Sequence, residues 1–235
     1  MKNKLLFIFL LAFISCEKVE QPPEKISPQY ISTSSDFPPK TSNLWIFILA
    51  GQSNMAGRAL IEPEDLQTSP RILTMNEYYN WCLAKEPLHF YESDIDGLDC
   101  GLSFGKEFIK RINDTISIGL IPCAIGGSSV EQWLGDSIVC HVNILSNLAT
   151  RIALASKSGV IKGILWHQGE NNANAVQIIN YKNNLQALLK KFRTITQNGN
   201  LPICVGELGS FLRKKPCFGS YPDSINQILK QISIE

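Results

Sequence analysis

The sequence predicts an α/β domain in which a parallel sheet is covered by helices on both faces. Short apolar runs alternate with helix-length amphipathic stretches along most of the chain. The first run, LWIFILA over residues 44–50, is almost wholly apolar, as a strand buried on both faces must be. The links between runs and helices are short, as they are where strands and helices alternate around a parallel sheet.

The elements follow in order. Residues 44–50 are the first strand and residues 71–75 a weaker second. Residues 103–112 read as a helix and residues 116–125 as a third strand. Residues 138–156 have helical spacing, with Val139, Val142, Leu145, Leu148, Ile152 and Leu154 on or near one face. Residues 160–166 form a fourth strand. Over residues 175–196, Ile178, Tyr181, Leu185, Leu188, Leu189 and Phe192 recur at threes and fours and predict a long helix. Residues 201–208, entered through Pro202, make a fifth strand, and residues 224–234 a closing helix. The sheet therefore has about five strands, and no internal repeat is visible.

Residues 1–15 read as an export signal: Lys2 and Lys4 precede a ten-residue apolar run over 5–14, too short to span a bilayer. Ser15-Cys16 follows, and the pattern resembles a bacterial lipoprotein signal, which implies lipidation of Cys16 and a place in the bacterial cell envelope. Residues 16–43 carry Pro22, Pro23, Pro28, Pro38 and Pro39 with several serines and no apolar periodicity, so they read as a tether. The domain is expected over residues 44–235.

Apolar residues are 44% and charged residues 18% of the 235, which excludes a disordered chain. Without Lys2 and Lys4 the net charge moves from +1 to −1. A chain this neutral has no electrostatic footprint for nucleic acid, and the membrane enters only through a lipid at Cys16. Of the seven cysteines, six remain beyond Cys16, with no CxxC pair and no histidine spacing for zinc, so no metal or cofactor is expected. Six cysteines allow fifteen pairings, among which the sequence does not choose. Cys123 and Cys204 lie in apolar runs, where a free cysteine packs as a small hydrophobe.

In such sheets ligands bind outside the carboxyl ends of the strands. The unusual polar residues of this chain follow the strands. Strand one ends in Gly51-Gln52-Ser53-Asn54-Met55-Ala56-Gly57. A serine in a glycine-flanked turn that opens a helix is placed as a nucleophile, its own N–H able to meet an oxyanion. It is equally placed as an N-cap, and the residues alone do not choose. Strand three ends in Gly126-Gly127-Ser128-Ser129, with Glu131-Gln132-Trp133 beyond. Strand four ends in Trp166-His167-Gln168-Gly169-Glu170-Asn171-Asn172, a cluster that packing alone does not explain.

Together GQSNMAGR, AKEPLH, GLSFGK, GGSSVEQW and WHQGENN, in this order, resemble the SGNH hydrolase superfamily. More narrowly they resemble its sialate O-acetylesterase-like branch, which includes the family 6 acetylxylan esterases. The resemblance implies a three-layer α/β/α, flavodoxin-like fold and metal-free serine hydrolysis of acetyl esters on sugars. It assigns Ser53 as nucleophile, and Ser53 N–H, Gly101 (with Gly97 competing) and Gln168 as oxyanion donors. Asn54 and Glu170 support the loop. Trp81, Trp133 and Trp166 are candidate sugar-stacking platforms, with core packing as the competing reading. Ser53 and Gln168 are expected to share one oxyanion-sized space.

The family's Asp-x-x-His, which supplies the base, has no counterpart. His89 lies in an early loop, His141 in the helix predicted after strand three, and His167 beside Gln168, where neighbours on a strand face opposite sides. Asp223 is the only aspartate near the final helix. The expectation is a C-terminally truncated product whose Ser53 has no histidine within hydrogen-bond reach and whose activity is crippled. The alternative is a lipid-tethered carbohydrate-binding protein that keeps the groove and has lost the chemistry.

Overall fold

A computed structural model describes residues 38–39 and 41–233. The export segment, Cys16 and nearly all of the tether lie outside the described residues. The central strand, β1 (Leu44–Gly51), has seven buried residues out of eight. Its even-numbered side chains, Leu44, Ile46, Ile48 and Ala50, enter one core, and Phe47 and Leu49 enter the other. A strand clad on both faces needs an apolar residue at every position, and LWIFILA supplies it.

Around β1 stand β2 (Ile72–Met75), β3 (Trp81–Leu83), β4 (Ser117–Pro122), β7 (Val160–His167) and β8 (Ile203–Val205), in the spatial order β3-β2-β4-β1-β7-β8. All pairings are parallel except β2–β3. The sheet thus has six strands rather than five. The extra one, β3, is a three-residue antiparallel edge returned by the Asn76–Asn80 turn, where Tyr79 has φ 62°. So short a piece carries no periodicity to read.

On one face pack α3 (Val130–Leu134), α4 (Ile144–Ala155), α5 (Ile178–Ile195) and α6 (Tyr221–Ile232). On the other lie α1 (Ser53–Ala56) and α2 (Gly101–Phe108), where Phe47 meets Phe104 and Phe108 edge-on at 4.9 and 5.0 Å. The result is a three-layer α/β/α domain.

The helix expected from residue 138 begins only at Ile144. Before it, β5 (Ile138–Val139) and β6 (Val142–Asn143) pair antiparallel across Cys140 and His141, both at positive φ, as a two-residue hairpin turn requires. Asp136 sets the true start, its Oδ1 accepting the Leu145 and Ser146 N–H groups at 2.9 and 2.8 Å. His141 therefore sits in a hairpin turn, not a helix. The strand expected over residues 201–208 is only Ile203–Val205, and Cys204 is exposed rather than packed, because β8 is an edge strand.

Candidate active site

The parallel strands end at one rim, and the polar motifs meet there. Gly51 and His167 face each other across β1 and β7 so closely that a Cβ on Gly51 would lie 2.0 Å from the His167 carbonyl oxygen. With φ at 142°, that position admits only glycine in comfort. Gln52 then donates its N–H to His167 O at 2.9 Å and takes the N-cap position of α1. Ser53 is the first residue inside the helix and not its cap. Its side chain is half-buried, and its N–H has no intrahelical acceptor and none elsewhere among the described residues.

Gln52 turns its side chain inward. Its Oε1 accepts from Gln168 Nε2 at 3.1 Å, from Asn171 N–H at 3.2 Å and from Gly169 N–H at 3.4 Å. Gln168 is fully buried, and its amide nitrogen also donates to Asn172 Oδ1 at 2.7 Å and Ser128 O at 3.2 Å. Asn172 Oδ1 accepts the Val130 N–H in addition, and Asn172 Nδ2 donates to Glu131 Oε2 at 2.8 Å. Buried amides thus stitch together the loops after β1, β4 and β7. Tyr181 adds a further anchor by donating its hydroxyl to Gln168 O at 3.0 Å, and burial, reinforced by the Glu170 and Glu131 charges, pushes that hydroxyl far up, keeping it a donor. Burial works against the Glu131 charge, yet hydrogen bonds from Asn172, Asn184 and Ser129 hold its carboxyl below the usual range.

The loop after β4 is braced from outside. Glu92 accepts the Gly126 N–H at 2.6 Å and pairs with Arg58 at 2.5 Å. A Cβ on Gly126 would lie 2.4 Å from the guanidinium, so glycine lets the ion pair reach the backbone. Gly127 (φ 68°) meets nothing within 4 Å at its Cβ position, and its N–H has no acceptor among the described residues.

Ser53, Gln52, Asn54, Gly127, Glu170, Asn171, Ala173 and Asn174, from the loops after β1, β4 and β7, line a cleft of about 470 Å³. Phe211, Leu212, Lys215, Cys217 and Phe218, from the segment after β8, line it as well. Asn54 Nδ2 donates to Glu170 Oε1, joining the two expected supporting residues in a short hydrogen bond. Glu170 Oε2 is buried without a partner among the described residues.

Several expected site residues lie elsewhere. Gln168 does not line the cleft, because both of its N–H groups are committed to the interior. Gly101 starts α2 with its N–H bonded to Asp99 Oδ1 at 2.6 Å and packs on Leu49 and Leu88, and Gly97 donates to Gly57 O at 3.2 Å. Neither glycine opens into the cleft. Gly127 does, and its signal was the Gly-Gly step directly after the third predicted strand. Trp81, Trp133 and Trp166 are 7%, 0% and 0% exposed and cannot stack on a ligand. Trp133 and Trp166 instead pack edge-on at 5.4 Å, with Phe192 as third member.

The three histidines are all placed. His89 is sealed in the interior with its Nδ1 2.8 Å from Asp99 Oδ2. His141 is in the hairpin turn. His167 rests its Nε2 3.1 Å from Glu207 O, and its Nδ1 is 3.9 Å from Glu170 Oε1. None lines the cleft, and among the described residues no histidine is hydrogen-bonded to Ser53 Oγ. Asp223 is engaged by Arg213 at 2.5 Å.

Residues 43–234 match the family described as carbohydrate esterase, sialic acid-specific acetylesterase. The chain belongs to this family. It is 33% identical over 180 residues to a probable carbohydrate esterase of Arabidopsis thaliana, spanning 67% of this chain and 66% of that protein. A solved Arabidopsis thaliana structure aligns at 29% identity over 80% of each chain, with a TM-score of 0.69. NanS superposes with a TM-score of 0.64 at 16% identity, covering 82% of this chain and 75% of that one. A carbohydrate acetylesterase from Xanthomonas citri gives 0.52 at 18% identity, over 80% and 47%. These last two share the fold. Family membership supports removal of O-acetyl groups from carbohydrate as the activity class.

Proposed function

We propose that the chain is a serine hydrolase that deacetylates an O-acetylated carbohydrate of the sialate or xylan type through an acyl-Ser53 intermediate. The observation that carries this reading is the position of Ser53: first residue of a helix, at the carboxyl end of the central strand, in the wall of a ligand-sized cleft. Ser53 Oγ attacks the acetyl carbonyl, the sugar oxygen leaves with a proton, and water then releases acetate. The developing oxyanion meets the N–H of Ser53 and that of Gly127, two main-chain donors of the cleft lining with no acceptor among the described residues. Gln168 acts by holding those loops together rather than by touching substrate.

Deprotonation of Ser53 needs a base that the described residues do not offer at Oγ. Loss of the histidine in a characterised serine protease lowers kcat by a factor on the order of 10⁶. The 235-residue chain should therefore release acetate from an acetylated chromogenic ester barely above background. Appending an Asp-x-x-His segment of the family type should raise turnover by orders of magnitude, and Ser53→Ala should abolish the gain. Robust hydrolysis that survives Ser53→Ala would end the acyl-serine reading. The empty base position also favours a second reading, a carbohydrate-binding protein tethered in the cell envelope by a lipid on Cys16. Binding of acetylated sugar without acetate release, even after the extension, would select it.

A further inference from the structure

The residues that line the cleft fall into two unlike groups. Those from the loops after β1, β4 and β7 are mostly amides, a carboxylate and backbone, and those from the segment after β8 are largely apolar. That segment is fixed at several points. Asn226 exchanges two hydrogen bonds with the Leu208 backbone, at 2.7 and 3.0 Å, Leu212 is buried, and Arg213 pairs with Asp223. With Leu212 turned in, Phe211 turns out and stays 51% exposed. A single exposed phenylalanine on a convex surface calls for no account. This one lines the same cleft as Ser53, and its ring is held in place. A Cβ on Gly209 would lie 2.4 Å from Phe211 Cε1, so the ring leans directly on the Gly209 backbone, while the Lys215 ammonium stands 5.8 Å from the ring centroid.

We propose that Phe211 is the sugar-stacking platform of this cleft, in place of the three buried tryptophans, an inference that rests on the carbohydrate reading above. A pyranose presents an apolar face of C–H groups that packs on an aromatic ring, and its hydroxyls and ester then meet Asn54, Asn171 and Asn174 in the same cleft. Gly209 is the positioning residue. With φ at −65° its backbone accepts any side chain, so the missing Cβ serves the ring and not the turn.

The test is calorimetric titration of the full chain with an O-acetylated methyl hexopyranoside. Phe211→Ala should weaken binding roughly five- to tenfold, and Phe211→Trp should stay within about twofold of the parent. Gly209→Ala, which displaces the ring without altering it, should also weaken binding, with the unfolding midpoint unchanged in all three. Equal binding by the parent and Phe211→Ala would overturn the platform and leave the carbohydrate reading standing. If the parent binds no acetylated sugar at all, the carbohydrate reading falls and the platform falls with it.

Discussion

Two histidine–carboxylate pairs lie among the described residues, and they differ in every respect that matters. His89 and Asp99 have the close contact of a catalytic dyad, Nδ1 to Oδ2 at 2.8 Å, with both side chains fully buried. Yet neither lines the Ser53 cleft. Glu170 lines the cleft and His167, which does not, lies 3.9 Å from it; each has another commitment, His167 to the Glu207 carbonyl and Glu170 to Asn54. The well-formed pair is a device of the core and the loose pair belongs to the site. A dyad is recognised by what its outer nitrogen can reach, and His89 Nε2 is buried without a partner among the described residues.

The largest effect expected from this contrast is on stability. Asp99 also accepts the Gly101 N–H that starts α2, so Asp99→Ala leaves an imidazole and a backbone donor unpaired in the interior. Breaking a buried pair from one side costs about 3–5 kcal/mol. Chemical denaturation should show a loss of that size for Asp99→Ala. The corresponding change at the rim, His167→Ala, should cost far less. Comparable losses at both pairs would erase the distinction.

A second effect on stability is a pH dependence seated beside the buried pair. Burial, and then the neighbouring Asp99 charge, push the Glu86 carboxyl up to about 9 from 4.5. Between those values the folded chain holds a proton that the unfolded chain has released. Stability therefore falls as pH rises across the window, by up to about 1.4 kcal/mol per pH unit. Glu86→Gln should flatten this slope. Denaturation midpoints measured near pH 5, 7 and 9 would check it, and an unchanged slope in the variant would show that another group governs the interior.

These pairs also mark how far the sequence could be read. The long strands β1 and β4 were legible because a strand clad on both faces is apolar almost throughout, and β7 because its second half carries the apolar run Gly163-Ile164-Leu165-Trp166. The rim motifs were legible because strands of a parallel sheet end together. What escaped were matters of burial and reach. Trp81, Trp133 and Trp166 stand next to polar motifs in the chain, and nothing local distinguishes a tryptophan that points into a core from one that faces a ligand. Gln168 has the chemistry of an oxyanion donor, but its N–H groups are consumed by Gln52, Ser128 and Asn172, partners 116, 40 and 4 residues away. Phe211 lies in a stretch without periodicity, so only the tertiary fold shows that it lines the cleft of Ser53. Glycine at 101 or 97 suited the family pattern, yet the fold places neither in the cleft, where Gly127 stands instead.

The smallest expected effect on stability is also the sharpest probe of the rim pair. Glu170 is 8% exposed, one carboxylate oxygen holds Asn54, and the other is buried without a partner among the described residues. An under-solvated carboxylate is a liability to folding. Glu170→Gln keeps an oxygen for the Asn54 amide and removes the charge, so stability should stay within about 1 kcal/mol of the parent, or rise by that much. The functional change should run the other way. With the charge gone, the hold on Asn54 weakens, and the turn that presents Ser53 loses its brace from the loop after β7. Acetylated-sugar affinity, or turnover in the extended chain, should fall while the unfolding midpoint does not. Residues retained for a site at the expense of the fold behave in this way. A loss of 2 kcal/mol or more in Glu170→Gln, with binding intact, would instead make Glu170 a structural brace like Asp99.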